Sequence, residues 1–163
     1  MRKRSLLALG LLLMVVAGCG SSYTQPAPLW TGNYSGSYQI TSCSDGLLAG
    51  FCAGAGFNVG AQLPITMSLS QDGTSVSGNV TLGNLTGLFQ GTVSGNMLSA
   101  ASSHDLTSLT WSGVEVPPSI TKWQSSLSGN NVNGTFTVTF YNGYDDSIDD
   151  AARITATVVT LTR

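Results

Sequence analysis

The chain is short of charge: Lys and Arg number 6 and Asp and Glu 8 among 163 residues, 9% in all. It also has only one histidine and three cysteines, and signals for helix are few. Each shortage excludes something. So few cations form no basic stripe, so nucleic acid is not expected as a partner. His104 stands next to Asp105, whereas a serine triad needs a base oriented by a carboxylate from elsewhere and an activated serine. No G-x-S-x-G motif supplies one. His104 is read as a loop residue, no catalytic set is assembled, and no enzyme is expected. Gly54 to Gly60, "GAGFNVG", looks like a dinucleotide fingerprint, but its third glycine is one residue late and no strand and helix flank it. It is read as a flexible loop.

Apolar residues are concentrated first at the amino terminus. Arg2, Lys3 and Arg4 precede a nearly unbroken apolar run from Leu6 to Val16. That is the layout of an export signal, and it is too short for a membrane-spanning helix, which needs about 20 residues. It ends in Val16-Ala17-Gly18-Cys19, which resembles the lipobox of bacterial lipoproteins. The resemblance implies that residues 1–18 are removed and that Cys19 carries a lipid on its thiol. Residues 19–29, with two prolines and no apolar period, then form a short tether, and residues 30–163 one domain. Gly20 follows the cysteine where an aspartate would signal inner-membrane retention, so the resemblance favours the outer membrane. Cleavage removes three of the six basic residues and no acidic one. Lys122, Arg153 and Arg163 would face eight carboxylates, so attachment to a membrane would be by lipid alone.

Export implies an oxidising compartment, and two cysteines remain after lipidation. A bridge between Cys43 and Cys52 would close the small loop "CSDGLLAGFC". With one histidine besides, too few ligands are then left for zinc or copper, and no cofactor is expected. Asp145, Asp146, Asp149 and Asp150 in "YDDSIDD" are a weak candidate for Ca²⁺. They lack the spacing and central glycine of an EF-hand and are read as a solvated hairpin tip. Four Asn-x-Ser/Thr sequons, at Asn33, Asn79, Asn84 and Asn133, are read as turn and strand residues.

The domain is crowded with hairpin dipeptides: Gly32-Asn33, Asp72-Gly73, Gly78-Asn79, Gly83-Asn84, Gly95-Asn96, Gly129-Asn130, Asn133-Gly134 and Asn142-Gly143. Gly78 and Gly134 fall inside alternating runs and are read as strand positions. Alternation predicts strands near 32–41, 59–70, 74–82, 85–94, 97–102, 106–112, 123–128, 132–141 and 151–162, apolar on one face and Ser/Thr-rich on the other. Gly36, Gly78, Gly87, Gly91 and Gly134 all share the inward parity, which lets strands coil sharply enough to close. The expected fold is all-β: a single antiparallel up-and-down meander closing into a barrel of about eight strands.

With Cys19, the opening "WTGNYSGSY" from Trp30 to Tyr38 and the hairpin "LSQDGTSVSGNV", the chain resembles calycin or lipocalin-like bacterial lipoproteins. The order here is Trp30-x-Gly32 where lipocalins proper carry G-x-W. Two functions follow as expectations. The first is a lipid-anchored envelope protein of structural or partner-binding type, using loops 42–58 and 112–123, with Val114, Val116, Ile120 and Trp123 as a contact surface. The same segment reads equally as a plug for one end of the barrel. The second is lipocalin-like binding of a small apolar molecule or lipid in a lumen lined by Tyr34, Tyr38, Met67, Phe89, Phe136 and Phe140.

Overall fold

A computed structural model describes residues 29–100, 106–143 and 151–163. Residues 1–18, Cys19, His104, Asp105 and the aspartates at 145, 146, 149 and 150 lie outside the described residues.

Ten strands and one short helix form in chain order: β1 (Gly32–Ser44), α1 (Phe51–Gly54), β2 (Gln62–Asp72), β3 (Ser75–Leu82), β4 (Leu85–Ser94), β5 (Met97–Ala100), β6 (Leu109–Trp111), β7 (Val114–Val116), β8 (Pro118–Ser128), β9 (Asn131–Phe140) and β10 (Ala152–Thr162). Eight of them close into a barrel in the order β1-β2-β3-β4-β5-β8-β9-β10 and back to β1, while β6 and β7 pair only with each other. Every pairing is antiparallel. This is the expected meander, with one hairpin inserted between its fifth and sixth staves.

The turns explain the closure. Gly73, Gly83, Gly95 and Gly129 each open a two-residue connection with φ of 58°, 65°, 61° and 61°. The second residues, Thr74, Asn84, Asn96 and Asn130, do not have positive φ. That is the glycine-first pattern of the type II′ turn, whose twist matches the strands it joins. The glycine supplies the left-handed residue and the asparagine does not.

Inside the walls, absent side chains let the strands approach one another. A Cβ at Gly36 would overlap the carbonyl of Thr160 across the β1–β10 seam, and one at Gly78 would overlap the carbonyl of Ser68. At Gly134 the obstacle is Gln124 with Ser125. Register shifts interrupt the same β1–β10 pairing between Ser37 and Tyr38 and between Ile40 and Ser42 on β1.

One stave departs from the expected strands. The segment 112–123 contains the start of β8, which begins at Pro118 and runs eleven residues to Ser128. Proline is tolerated at the first residue of a strand because no interior ladder bond is lost. A bulge between Ile120 and Lys122 then shifts the parity, so that Ile120 and Trp123, three apart, both point inward. Strict alternation hides such a strand. The expected strand at 106–112 is not a stave; its core, β6, belongs to the separate hairpin.

The interior is apolar, and the outer wall carries Ser35, Thr66, Ser68, Ser77, Asn79, Gln90 and Thr157. A barrel that spans a bilayer has the reverse pattern, apolar outside and polar within.

Candidate functional site

The two ends of the barrel differ. At one end the connections 73–74, 95–96 and 129–130 have two residues each. The lead-in to β1 is pinned there: Trp30 N–H donates to Gln71 Oε1 (2.8 Å), and Gln71 N–H donates to Thr31 Oγ1 (2.9 Å). The Arg163 guanidinium donates to the carbonyls of Leu29 (3.2 Å) and Thr31 (2.7 Å), and its backbone N–H to that of Asn130 (3.1 Å). Trp30, 1% exposed, closes this end.

At the other end lie the tight 83–84 turn and the three long connections, 45–61, 101–117 and 141–151. The first folds back over the mouth as a cap. Asp45 organises it, its carboxylate accepting the N–H of Gly50 (3.1 Å) and of Cys52 (2.7 Å), amides that the first turn of α1 leaves without helical partners. A disulfide joins Cys52 on α1 to Cys43 near the end of β1, with Cα atoms 6.0 Å apart. Thus tethered, α1 lowers Phe51 into the mouth, where its ring lies 4.8 Å from Phe140 and 5.8 Å from Phe57. These three buried rings plug the barrel.

The second long connection adds the β6–β7 hairpin. Its turn, Ser112-Gly113, has positive φ at both residues, 50° and 82°, the type I′ signature. Ser112 is the only non-glycine residue with positive φ among those described. The turn sets Trp111 beside the cap, with its ring edge-to-face with Phe51 (centroids 5.5 Å, 80°) and over Gly54, where any Cβ would run into the indole. Between cap, hairpin and the 83–84 turn opens a cleft of about 300 Å³, lined by Phe51, Gly54, Ala55, Asn84, Leu109, Thr110 and Trp111.

Tyr34, Tyr38, Met67, Phe89, Phe136 and Phe140 all face inward and are buried, Phe140 within the plug itself. Tyr38, Phe89 and Phe136 join Trp123 in one cluster of rings, and Tyr34 lies 6.4 Å from Trp30. Trp123 stacks on Phe136 (5.1 Å, 14°), Phe89 meets Trp123 edge-on at 5.3 Å, and Tyr38 meets Phe136 likewise at 5.1 Å. The Trp123 indole N–H donates to Ser125 Oγ (2.8 Å), a buried hydroxyl on the same stave. The Tyr34 and Tyr38 hydroxyls and Trp30 Nε1 are buried without a hydrogen-bond partner. Burial raises the pKa of both phenols, and for Tyr34 the neighbouring Arg163 charge works against the rise.

The contact surface expected at Val114, Val116, Ile120 and Trp123 is corrected by burial. Val116, Ile120 and Trp123 are 0–1% exposed, inside the barrel or its plug, and only Val114 is half-exposed. The segment is not an end plug either: Pro118 to Trp123 belongs to a barrel stave, and Val114 to Val116 is a strand of the β6–β7 hairpin. The cleft residues Leu109, Thr110 and Trp111 were not singled out by sequence, and Asn84 only as a turn residue and sequon. The Ser112-Gly113 dipeptide after an alternating Leu-Thr-Trp was the available signal. Among the described residues no group of three or more His, Cys, Asp or Glu side chains is placed to hold a metal ion.

No protein-family model, curated protein or solved structure matches the chain.

Proposed function

We propose that the protein is a lipid-anchored component of the bacterial cell envelope that works by presenting the loop-bearing end of a ring-filled barrel to a partner. The observation that carries this reading is the polarity of the barrel. Its lead-in and three two-residue turns occupy one end, and its three long connections the other. A chain arriving from a lipidated Cys19 would enter at the tight-turn end. The tether 19–29, at most about 37 Å long when fully extended, would leave the cap as the far pole. The packed rings of Tyr38, Phe89, Trp123 and Phe136 support a partner-binding reading over carriage of an apolar molecule in the lumen.

Two measurements test this. Cys19→Ser should abolish incorporation of radiolabelled fatty acid and release the domain from the membrane fraction; unchanged retention would remove the anchor. Native mass spectrometry of the protein purified from its host in mild detergent should give the mass of the lipidated chain alone. An additional apolar mass that leaves on unfolding would replace this reading by lumenal ligand carriage.

A further inference from the structure

Closing a meander requires only two-residue turns, as four of its connections show. Two of the three longer ones contribute described residues to the cleft, Phe51, Gly54 and Ala55 from one and Leu109, Thr110 and Trp111 from the other. Its lining decides what it can take. None of the seven residues is ionisable, so a charged ligand would lose its hydration without gaining a counter-charge. A wholly apolar ligand would strip water from the Asn84 amide and the Thr110 hydroxyl and return no hydrogen bond. What remains is a neutral molecule with one apolar face and a rim of hydroxyls. We propose that this cleft binds a neutral saccharide.

The fit is specific in its parts. Trp111 is the one tryptophan of three that is not buried, and its ring is fixed by Phe51 and Gly54 before any ligand arrives. The face of an aromatic ring is negative, so the electropositive C–H face of a pyranose stacks on it favourably. Asn84 offers both a donor and an acceptor, and Thr110 a hydroxyl that does either, which matches adjacent sugar hydroxyls. A volume of about 300 Å³ lies at the small end of ligand sites and suits the end of a short chain. The disulfide, the Asp45 hydrogen bonds and the Ser112-Gly113 turn hold these pieces together, so little ordering is left for the ligand to induce. This inference rests on the reading of the loop-bearing end as the working face.

The test uses the purified full-length protein with chitotetraose, cellotetraose and maltotetraose, titrated calorimetrically to about 10 mM. Acrylamide quenching gives a second readout, because Trp30 and Trp123 are 1% exposed and the quenchable emission comes from Trp111. At least one saccharide should bind and protect Trp111. Trp111→Ala should weaken binding about tenfold or more and Asn84→Ala severalfold, while Val159→Ala on the exposed outer wall changes nothing. No binding of any of the three overturns the proposal, as does undiminished binding by either cleft variant. If Trp111→Ala unfolds, as judged by its melting curve, Asn84→Ala at the surface turn decides alone. Failure here, with a ligand-free mass and a lipidated Cys19, removes the saccharide and leaves the proposed function standing. A lumenal adduct mass removes both.

Discussion

Replacing Gly36 or Gly78 by alanine is the sharpest test of how the barrel closes, because two effects of opposite sign compete. Neither glycine has positive φ, so alanine fits the backbone. By restricting the unfolded chain it should add about 0.4–1 kcal/mol of stability. Against this, the new methyl group would occupy the space of a carbonyl on the neighbouring strand, Thr160 for Gly36 and Ser68 for Gly78. Backbone cannot swing aside as a flexible side chain can. Overpacking of this kind typically costs about 1–3 kcal/mol, and a rigid obstacle puts these sites at the upper end. The net is a loss of about 2 kcal/mol, which for a domain of this size lowers the melting temperature by about 6–10 °C. Gly91 is the internal comparison, since its nearest obstacles, Leu98 Cδ1 and the Ser99 carbonyl, stand at 2.9 Å. Gly91→Ala should fall between those variants and wild type. Thermal unfolding followed by circular dichroism measures all three. If Gly36→Ala and Gly78→Ala melt at or above the wild-type temperature, the glycines are not what lets these strands meet, and the account of closure is wrong.

Reducing the Cys43–Cys52 bridge reopens a ten-residue loop, which in the chain-entropy model costs about 2.7 kcal/mol; a melting temperature unmoved by dithiothreitol would count against that contribution. Ser125→Ala leaves the buried Trp123 N–H unpaired and should cost about 1–3 kcal/mol in urea unfolding, whereas Ser128→Ala on the exposed end of β8 should be near neutral. Tyr38 has its pKa raised by burial, so the folded state holds its proton longer than the unfolded chain does. The stability this gives is complete below the unfolded value of about 10 and is lost as pH rises above it; Tyr38→Phe should flatten that alkaline decline, and an unchanged slope in urea titrations at pH 9–11 would refute the assignment.

How much of this was legible in the sequence follows from which signals are local. Hairpin glycines and period-two alternation act over a few residues, and they located β1 to β5, β9 and β10 closely. The inward parity of Gly36, Gly78 and Gly134 was also readable, and with it the closure. Parity fails where a bulge inserts a residue: Ile120 and Trp123 read as opposite faces of a flat strand and are neighbours on one face of a bulged one. The cleft was not legible because it is made by chain segments about 27 to 60 residues apart that meet only after the barrel has closed, Phe51, Asn84 and Trp111 among them. What fills the lumen was undetermined for the same reason. Six apolar names at inward positions are compatible with a cavity or with a stack, and the ring cluster of Tyr38, Phe89, Trp123 and Phe136 depends on the bulge that turns Trp123 inward.

The two ends of the molecule therefore answer to different constraints. At the closed end the chain uses two-residue turns and ties the lead-in at Leu29 and Thr31 to Arg163 after β10. At the open end it departs from economy twice, once for a disulfide-tied cap and once for a hairpin outside the barrel, and both departures converge on Trp111. Phe51 and Phe57 of the cap meet Phe140 of β9 in the mouth, and Trp111 packs on Phe51 from the hairpin. Packing on Phe51 accounts for the buried part of the Trp111 indole, and the same residue lines the cleft. Trp111 therefore has two roles to separate, packing on the plug and the proposed recognition of a saccharide, and Trp111→Ala read both by melting temperature and by binding separates them.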